Sequence, residues 1–239
     1  MGKAVIVFSG GQDSTTVLGY AKWAGFDCHA LAFNYGQKHE VELEQAKKIA
    51  QQLNVPLQIV DVRAFGKLVG SHSALLNNGQ EVGEKSKLAD NLPASFVPNR
   101  NAMFLTMAHG YAQTIGAKVV FTGVCETDYS GYPDCREVFI NKLALALNTG
   151  YQTDIQILTP LMHKTKAETF KMAAVVGVLD LVLEESHTCY NGVRNEVALT
   201  DAQSEEGYRY PWGHGCGECP ACQLRAKGWQ EYQDMVRIY

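Results

Sequence analysis

The sequence predicts an α/β fold: a mostly parallel, doubly wound sheet followed by a helical C-terminal segment. Three observations carry that prediction. Short apolar runs alternate with helical patterns along most of the 239 residues, a glycine turn joins the first run to the first helix, and four of the seven cysteines fall near the C-terminus. Strands alternating with helices imply parallel pairing with helices on both faces. Ligands of such folds collect beyond the carboxyl ends of the strands.

The first strand covers residues 3–8 and stops at Ser9-Gly10-Gly11. A helical pattern over 14–24 then carries Val17, Leu18 and Ala21 on one face. A second strand is expected at 29–35. The helix at 41–53 follows, with Leu43, Ala46, Ile49, Ala50 and Leu53 at helical spacing and Asn54 and Pro56 closing it. Residues 57–61 form a third strand. Between 62 and 99 the pattern weakens among Gly66, Gly70, Gly79, Gly83, Pro93 and Pro98, which reads as a long, partly helical excursion over the active-site face. Regularity returns with a helix at 100–115, a strand at 118–122, a helix at 138–147 and a short strand at 154–158. Helices at 166–176, 180–183 and 221–235 complete the series. The expected division is an α/β domain over 1–185 and a C-terminal segment over 186–239 packed on it.

Apolar residues make up 46% of the chain, enough for a substantial core, and 21 basic against 25 acidic residues leave a net charge of −4. That balance argues against a broad basic face for nucleic acid. The apolar stretches are strand-sized, so no membrane span is expected, and the N-terminus enters the first strand without a signal peptide. A cytoplasmic protein with neither nucleic-acid nor membrane partners is the expectation.

The most informative segment is Phe8-Ser9-Gly10-Gly11-Gln12-Asp13-Ser14-Thr15-Thr16-Val17-Leu18. Strand, glycine turn and helix together aim backbone N–H groups and a positive helix end at an anion, and glycines let the main chain approach phosphate closely. The Walker A pattern GxxxxGK[ST] requires a lysine, yet none lies between Phe8 and Lys22. The alternative is an ordinary glycine turn with Asp13 or Ser14 as helix N-cap.

At the other end stands Cys189-x26-Cys216-x2-Cys219-x2-Cys222. Four thiolates close a tetrahedral zinc shell and leave no position for substrate, so the metal reads as structural. Gly213, Gly215 and Gly217 permit tight turns around it, and Arg225 and Lys227 can offset its charge. An iron–sulfur cluster, His187 or His214 replacing a thiolate, and metal-free core cysteines are the alternatives.

Three stretches follow strands or lead into helices. Gly123–Arg136 gathers Glu126, Asp128, Asp134 and Arg136 between glycines and a proline, a composition that fits a pocket lip or a solvated loop. In Phe96-Val97-Pro98-Asn99-Arg100-Asn101, Arg100 grips an anion or Pro98 and Asn99 merely start the helix. Lys164 and Lys166 follow the last strand, one neutralising phosphate or both opening a solvated helix.

Together these stretches resemble one family. The run at 9–14 matches SGGxDS of the PP-loop ATP pyrophosphatases. FNYGQKH at 33–39, FVPNRN at 96–101, TGVCETDYSGYPDCR at 122–136, TPLxxxxKAE at 159–168, TCYNG at 188–192 and CGxCxxC at 216–222 fall in the order found in the QueC family of 7-cyano-7-deazaguanine synthases. Two departures stand out: Asn99 occupies a position usually held by glycine, and 201–212 looks like an insertion. The resemblance implies a PP-loop, adenine nucleotide alpha hydrolase-like fold and a homodimer. It also implies a reaction in which 7-carboxy-7-deazaguanine, ammonia and two ATP give the nitrile through an adenylated acid and an adenylated amide. In that picture the loop from Ser9 to Asp13 holds pyrophosphate beside Mg²⁺, Asp13 binds Mg²⁺ or orders the loop, and Ser14 contacts phosphate. Arg100, Lys166 and Arg136 face the α-phosphate or the substrate carboxylate, and Glu126, Asp128 or Asp134 accept hydrogen bonds from the guanine-like edge. A PP-loop tRNA thiolase, with Cys125 and Cys135 relaying sulfur, and a non-catalytic nucleotide-responsive zinc module are the rival functions.

Overall fold

β1 (Lys3–Val7) lies at the centre of a five-stranded parallel sheet in the computed structural model, which describes residues 1–39, 41–76, 84–86, 92–127, 132–194, 197–198 and 208–237. Its neighbours are β2 (Asp27–Asn34) and, beyond it, β3 (Leu57–Asp61) on one side; β4 (Val119–Phe121) and then β5 (Gln156–Leu158) stand on the other. All pairings are parallel, with Ala4 opposite Cys28 and Val119. The sheet therefore reverses direction of growth between β1 and β4, which makes their carboxyl ends the switch point where ligands bind.

β1 reads as a continuous apolar run because both of its faces are covered. Ala4 and Ile6 pack under α1 (Gln12–Trp23) and α2 (Val41–Gln52), against Val17, Leu18, Ala46 and Ile49. Val5 faces the other layer, formed by α3 (Arg63–Val69), α4 (Arg100–Ile115) and α5 (Glu137–Tyr151), through Leu105, Ala108 and Ile140. A third cluster holds α6 (Lys166–Val175), α7 (Leu179–Glu184) and, after a two-stranded ribbon of β6 (Val197–Ala198) and β7 (Tyr208–Arg209), α8 (Pro220–Arg237). Phe170 of α6 meets Trp229 and Tyr232 of α8 at ring-centroid distances of 5.1 and 6.1 Å.

Boundaries shift where hydrogen bonding overrides pattern. α1 starts at Gln12, two residues before the expected 14, because Gly11 in extended geometry is its N-cap; neither Asp13 nor Ser14 caps it. α5 continues to Tyr151 and ends on left-handed Gln152, past the expected 147. In the 62–99 excursion the described residues form α3 and two 3-10 turns, Gly70–His72 and Ala74–Leu76. The β6–β7 ribbon was not expected. No helix among the described residues is long and apolar enough to cross a membrane.

Candidate active site

The loop between β1 and α1 is ordered by its two serines. Ser14 Oγ accepts from Ser9 N (3.2 Å), lies 3.1 Å from Ser9 Oγ and donates to the Gly11 carbonyl (3.2 Å), while Ser9 Oγ accepts from Gly11 N (3.4 Å). Since a hydroxyl carries one proton, Ser14 spends it within the loop. Gly10 has φ +79°, and a Cβ there would stand 2.7 Å from Glu42 O and Ala46 N of α2; only glycine fits that conformation and that gap. The Gly10 carbonyl accepts from His187 N at 3.0 Å, so the cysteine-bearing segment closes the loop from outside. No side chain caps α1, which leaves its first N–H groups facing the site with the positive helix end.

Asp13 and Lys166 are brought together across 153 positions, Nζ donating to Oδ1 at 2.8 Å and Oδ2 at 2.6 Å. Lys166 opens α6, which starts on a reciprocal capping box between Thr165 and Glu168. Lys166 holds both Asp13 oxygens and so ties the loop to the start of α6. On the cysteine side, Arg225 is 1% exposed. It donates to the Trp212 and Val182 carbonyls and to Thr188 Oγ1, each at 2.7 Å. Burial draws its pKa down to about 10 although the negative charge of Cys222 and Asp13 opposes the shift, so it stays cationic at neutral pH.

These groups border a cavity of about 310 Å³ whose wall crosses the expected division at 185/186. From the sheet side come Ser9, Asp13, Gly123 and Lys166; from the C-terminal side come Thr188, Tyr190, Leu224 and Arg225. Its aromatic wall includes Phe33 stacked on Phe104, with centroids 4.2 Å apart and planes within 10°. Arg100 lies at the start of α4, whose N-cap Asn99 adopts φ 57° in the left-handed region, so asparagine supplies the conformation usually left to glycine. The Arg100 guanidinium carbon sits 5.9 Å from the Tyr35 ring centroid and 6.0 Å from that of Tyr132. Burial works against its charge, but the negative potential of Tyr35, Tyr132 and Asp134 prevails and raises its pKa.

Sequence reasoning missed Glu42 on the first turn of α2, which lines the same cavity. Burial pushes its carboxyl up to about 7 against the opposing charge of Arg100. Among the described residues no hydrogen bond or ion pair reaches it. Its signal was a charge at the start of a helix directly after the FNYGQKH run, where a solvated residue is the ordinary expectation.

The acidic residues expected to read the substrate edge do other work in the described structure. Glu126 accepts from Glu137 N at 3.1 Å and so caps α5. Asp134 accepts from Asn101 N at 3.2 Å in the first turn of α4. Arg136 is exposed at the N-cap of α5. None of the three lines the cavity; the loop after β4 turns Glu126 and Asp134 toward helix ends with unsatisfied N–H groups and leaves Arg136 at the surface. Asp128 lies outside the described residues. Lys164 is absent from the lining and Lys166 is present. Cys125 and Cys135 also border the cavity, but burial pushes the Cys135 thiol up to about 12, the opposite of what a sulfur relay requires.

Cys189, Cys216, Cys219 and Cys222 form a second centre, their Sγ atoms all within 4.8 Å of one another. A tetrahedron with zinc–sulfur bonds of about 2.3 Å has edges of about 3.8 Å; Cys216 and Cys222 stand 3.9 Å apart. Backbone N–H groups of Cys216 and Cys219 point at Cys189 Sγ (3.4 Å) and Cys216 Sγ (3.3 Å), which favours thiolate charge. The spacing suits a single ion. His187 and His214 direct Nε2 at the carbonyls of Cys189 and Glu184 instead, at 3.2 and 2.9 Å. Trp212, stacked on Tyr210 at 4.5 Å, closes the centre.

A family model described as queuosine biosynthesis protein QueC matches residues 3–233. A 7-cyano-7-deazaguanine synthase of Wolinella succinogenes is 51% identical over 96% of this chain and 93% of its own length. Enzymes of the same name from Helicobacter pylori strain Shi470 and Lysinibacillus sphaericus are 48% and 44% identical, over 95% and 96% of this chain and 95% of their own lengths. A solved 4-thiouridine synthetase in complex with RNA and ATP superposes with a TM-score of 0.50 at 17% identity, over 98% of this chain and 51% of that one; that likeness shows the fold alone.

Proposed function

The chain belongs to the QueC family of queuosine biosynthesis proteins, and from that membership we propose that it converts 7-carboxy-7-deazaguanine and ammonia to 7-cyano-7-deazaguanine, consuming two ATP. The observation that carries this reading is the shared cavity, where an uncapped helix N-terminus and four cations, Lys38, Arg100, Lys166 and Arg225, meet a flat aromatic wall. A carboxylate is a poor electrophile, so its oxygen first attacks the α-phosphorus of ATP to form an acyl-adenylate. Ammonia then displaces AMP and gives the amide. In the second round the amide oxygen is adenylated in its turn, and loss of AMP leaves the nitrile. Both acceptors present an oxygen on the same carbon, so one site serves both rounds.

In this reading the N–H groups at the Ser9–Ser14 loop and the start of α1 receive the departing pyrophosphate, as preorganised donors that need no rearrangement. Lys166, held by Asp13, adds its charge there. Mg²⁺ carried with ATP supplies further neutralisation of the phosphates. Arg100 orients the substrate carboxyl at the aromatic wall formed by Phe33, Tyr35 and Phe104. Asp128 stays a candidate for the guanine-like edge. Zinc is the ion that suits the four thiolates, and in a closed shell it supports the cavity wall without touching substrate. The reading includes a homodimer, as the family resemblance implies, and a cytoplasmic location without nucleic-acid or membrane partners, as charge and hydropathy suggest.

Incubation with ATP, Mg²⁺, ammonium and 7-carboxy-7-deazaguanine tests it. Nitrile, AMP and pyrophosphate are expected; release of ADP, or AMP without nitrile, refutes it.

A further inference from the structure

The proposed reaction removes protons from one nitrogen three times. Ammonia carries three hydrogens, the amide two and the nitrile none, so one proton leaves in the first round and two in the second. A group near the reacting carbon must take each of them. Among the described residues that line the cavity, the carboxylates are Asp13 and Glu42, and Lys166 occupies both oxygens of Asp13.

We propose that Glu42 is the catalytic base of both rounds, its carboxylate facing the nitrogen from α2 while Arg100 holds the oxygen side of the same carbon. This rests on the reaction assigned above. Around Glu42 stand Tyr35 after β2, Arg100 of α4, Cys189 and Tyr190 of the cysteine segment, and Lys38 and His39 of its own approach loop. His39 is the competing base, since its Nε2 is buried without a partner. Its electrostatic neighbours are Lys38 and Cys189, however, whereas Glu42 shares Cys189 with it and also lies within the field of Arg100. A carboxyl poised near neutrality is also suited to accepting and returning protons at working pH.

In the first round the ammonia lone pair forms the C–N bond, one N–H proton passes to Glu42, and the C–O bond to AMP breaks with its electron pair. In the second, the nitrogen lone pair becomes the second C–N bond as the amide oxygen is adenylated. Glu42 removes one proton to leave a neutral imidate. Removal of the last proton leaves its bonding pair as the third C–N bond while AMP departs. Glu42 returns each proton to solvent in between.

The test separates adenylation from proton removal. Exchange of labelled pyrophosphate into ATP, dependent on 7-carboxy-7-deazaguanine, reports the first adenylation alone. Glu42→Gln should keep that exchange within about threefold while nitrile formation falls by about 10²-fold or more. Glu42→Asp should restore part of the rate. The rise of kcat with pH through one ionisation near neutrality should vanish in Glu42→Gln. A nitrile rate within about threefold of the unaltered protein overturns the proposal. So does exchange that falls in parallel, or an ionisation that survives and disappears only in His39→Gln. Absence of exchange in the unaltered protein overturns the reaction reading and this role with it.

Discussion

Asp13 was legible as a candidate from its place in SGGQDS, but its partner was not. Lys166 reaches it from a helix 153 positions away, and no local pattern encodes that meeting. Asn99 shows the reverse case. Its departure from glycine was visible in the sequence, and its left-handed φ of 57° is the conformation expected of asparagine there. Asn99→Gly should be neutral or mildly stabilising, whereas Asn99→Val should cost about 1–2 kcal/mol in urea denaturation, because a β-branched residue clashes in that region. Glu42 has a stability signature of its own. Its folded pKa is raised to about 7 from 4.5, so between those values the native state binds more protons than the unfolded chain. Stability contributed by this group therefore falls as pH rises through that window. The stability of the unaltered protein relative to Glu42→Gln should decline from pH 5 to 7.5 across a series of urea titrations.

Among the elements, α6 decides most about the site, because it opens on Lys166. Its start was expected at 166, and the structure fixes it there with a capping box between Thr165 and Glu168. Its position depends on α8, whose Gly228 lies so near that a Cβ would stand 2.2 Å from the Lys166 Cβ. Gly228→Ala must push the helices apart. A loss of about 1–3 kcal/mol is expected from overpacking, with pyrophosphate exchange falling further as Lys166 leaves Asp13; denaturation and exchange assays check the two effects. The start of α1 was misread by two residues for a related reason. Asp13 and Ser14 are good N-cap types, yet the distant Lys166 claims the one and the loop's own Ser9 and Gly11 the other, and the cap passes to Gly11.

At the scale of the molecule, the cysteine segment is a wall of the cavity. Thr188, Tyr190 and Arg225 reach the site from beyond residue 185, and His187 N fastens the segment to Gly10. Loss of the metal should therefore remove activity along with tail stability. Cys219→Ser is expected to lose bound zinc by elemental analysis, to lower the thermal midpoint and to abolish nitrile formation. Activity retained without metal would show that Trp212 and the buried Arg225 hold the wall unaided.

The sequence by itself determined the alternation of strands and helices, the glycine loop after β1 and the cysteine set. These are local signals, written in hydrophobic period, glycine placement and short spacing. Only the tertiary structure decided that Lys166 serves Asp13, that Glu126 and Asp134 cap helices, and that Glu42 faces the cavity. A side chain's partner depends on which elements the sheet order and helix packing bring alongside it. A carboxylate in a loop or at a helix start reads the same in sequence whether it meets a backbone N–H, a lysine or an arginine-lined cavity.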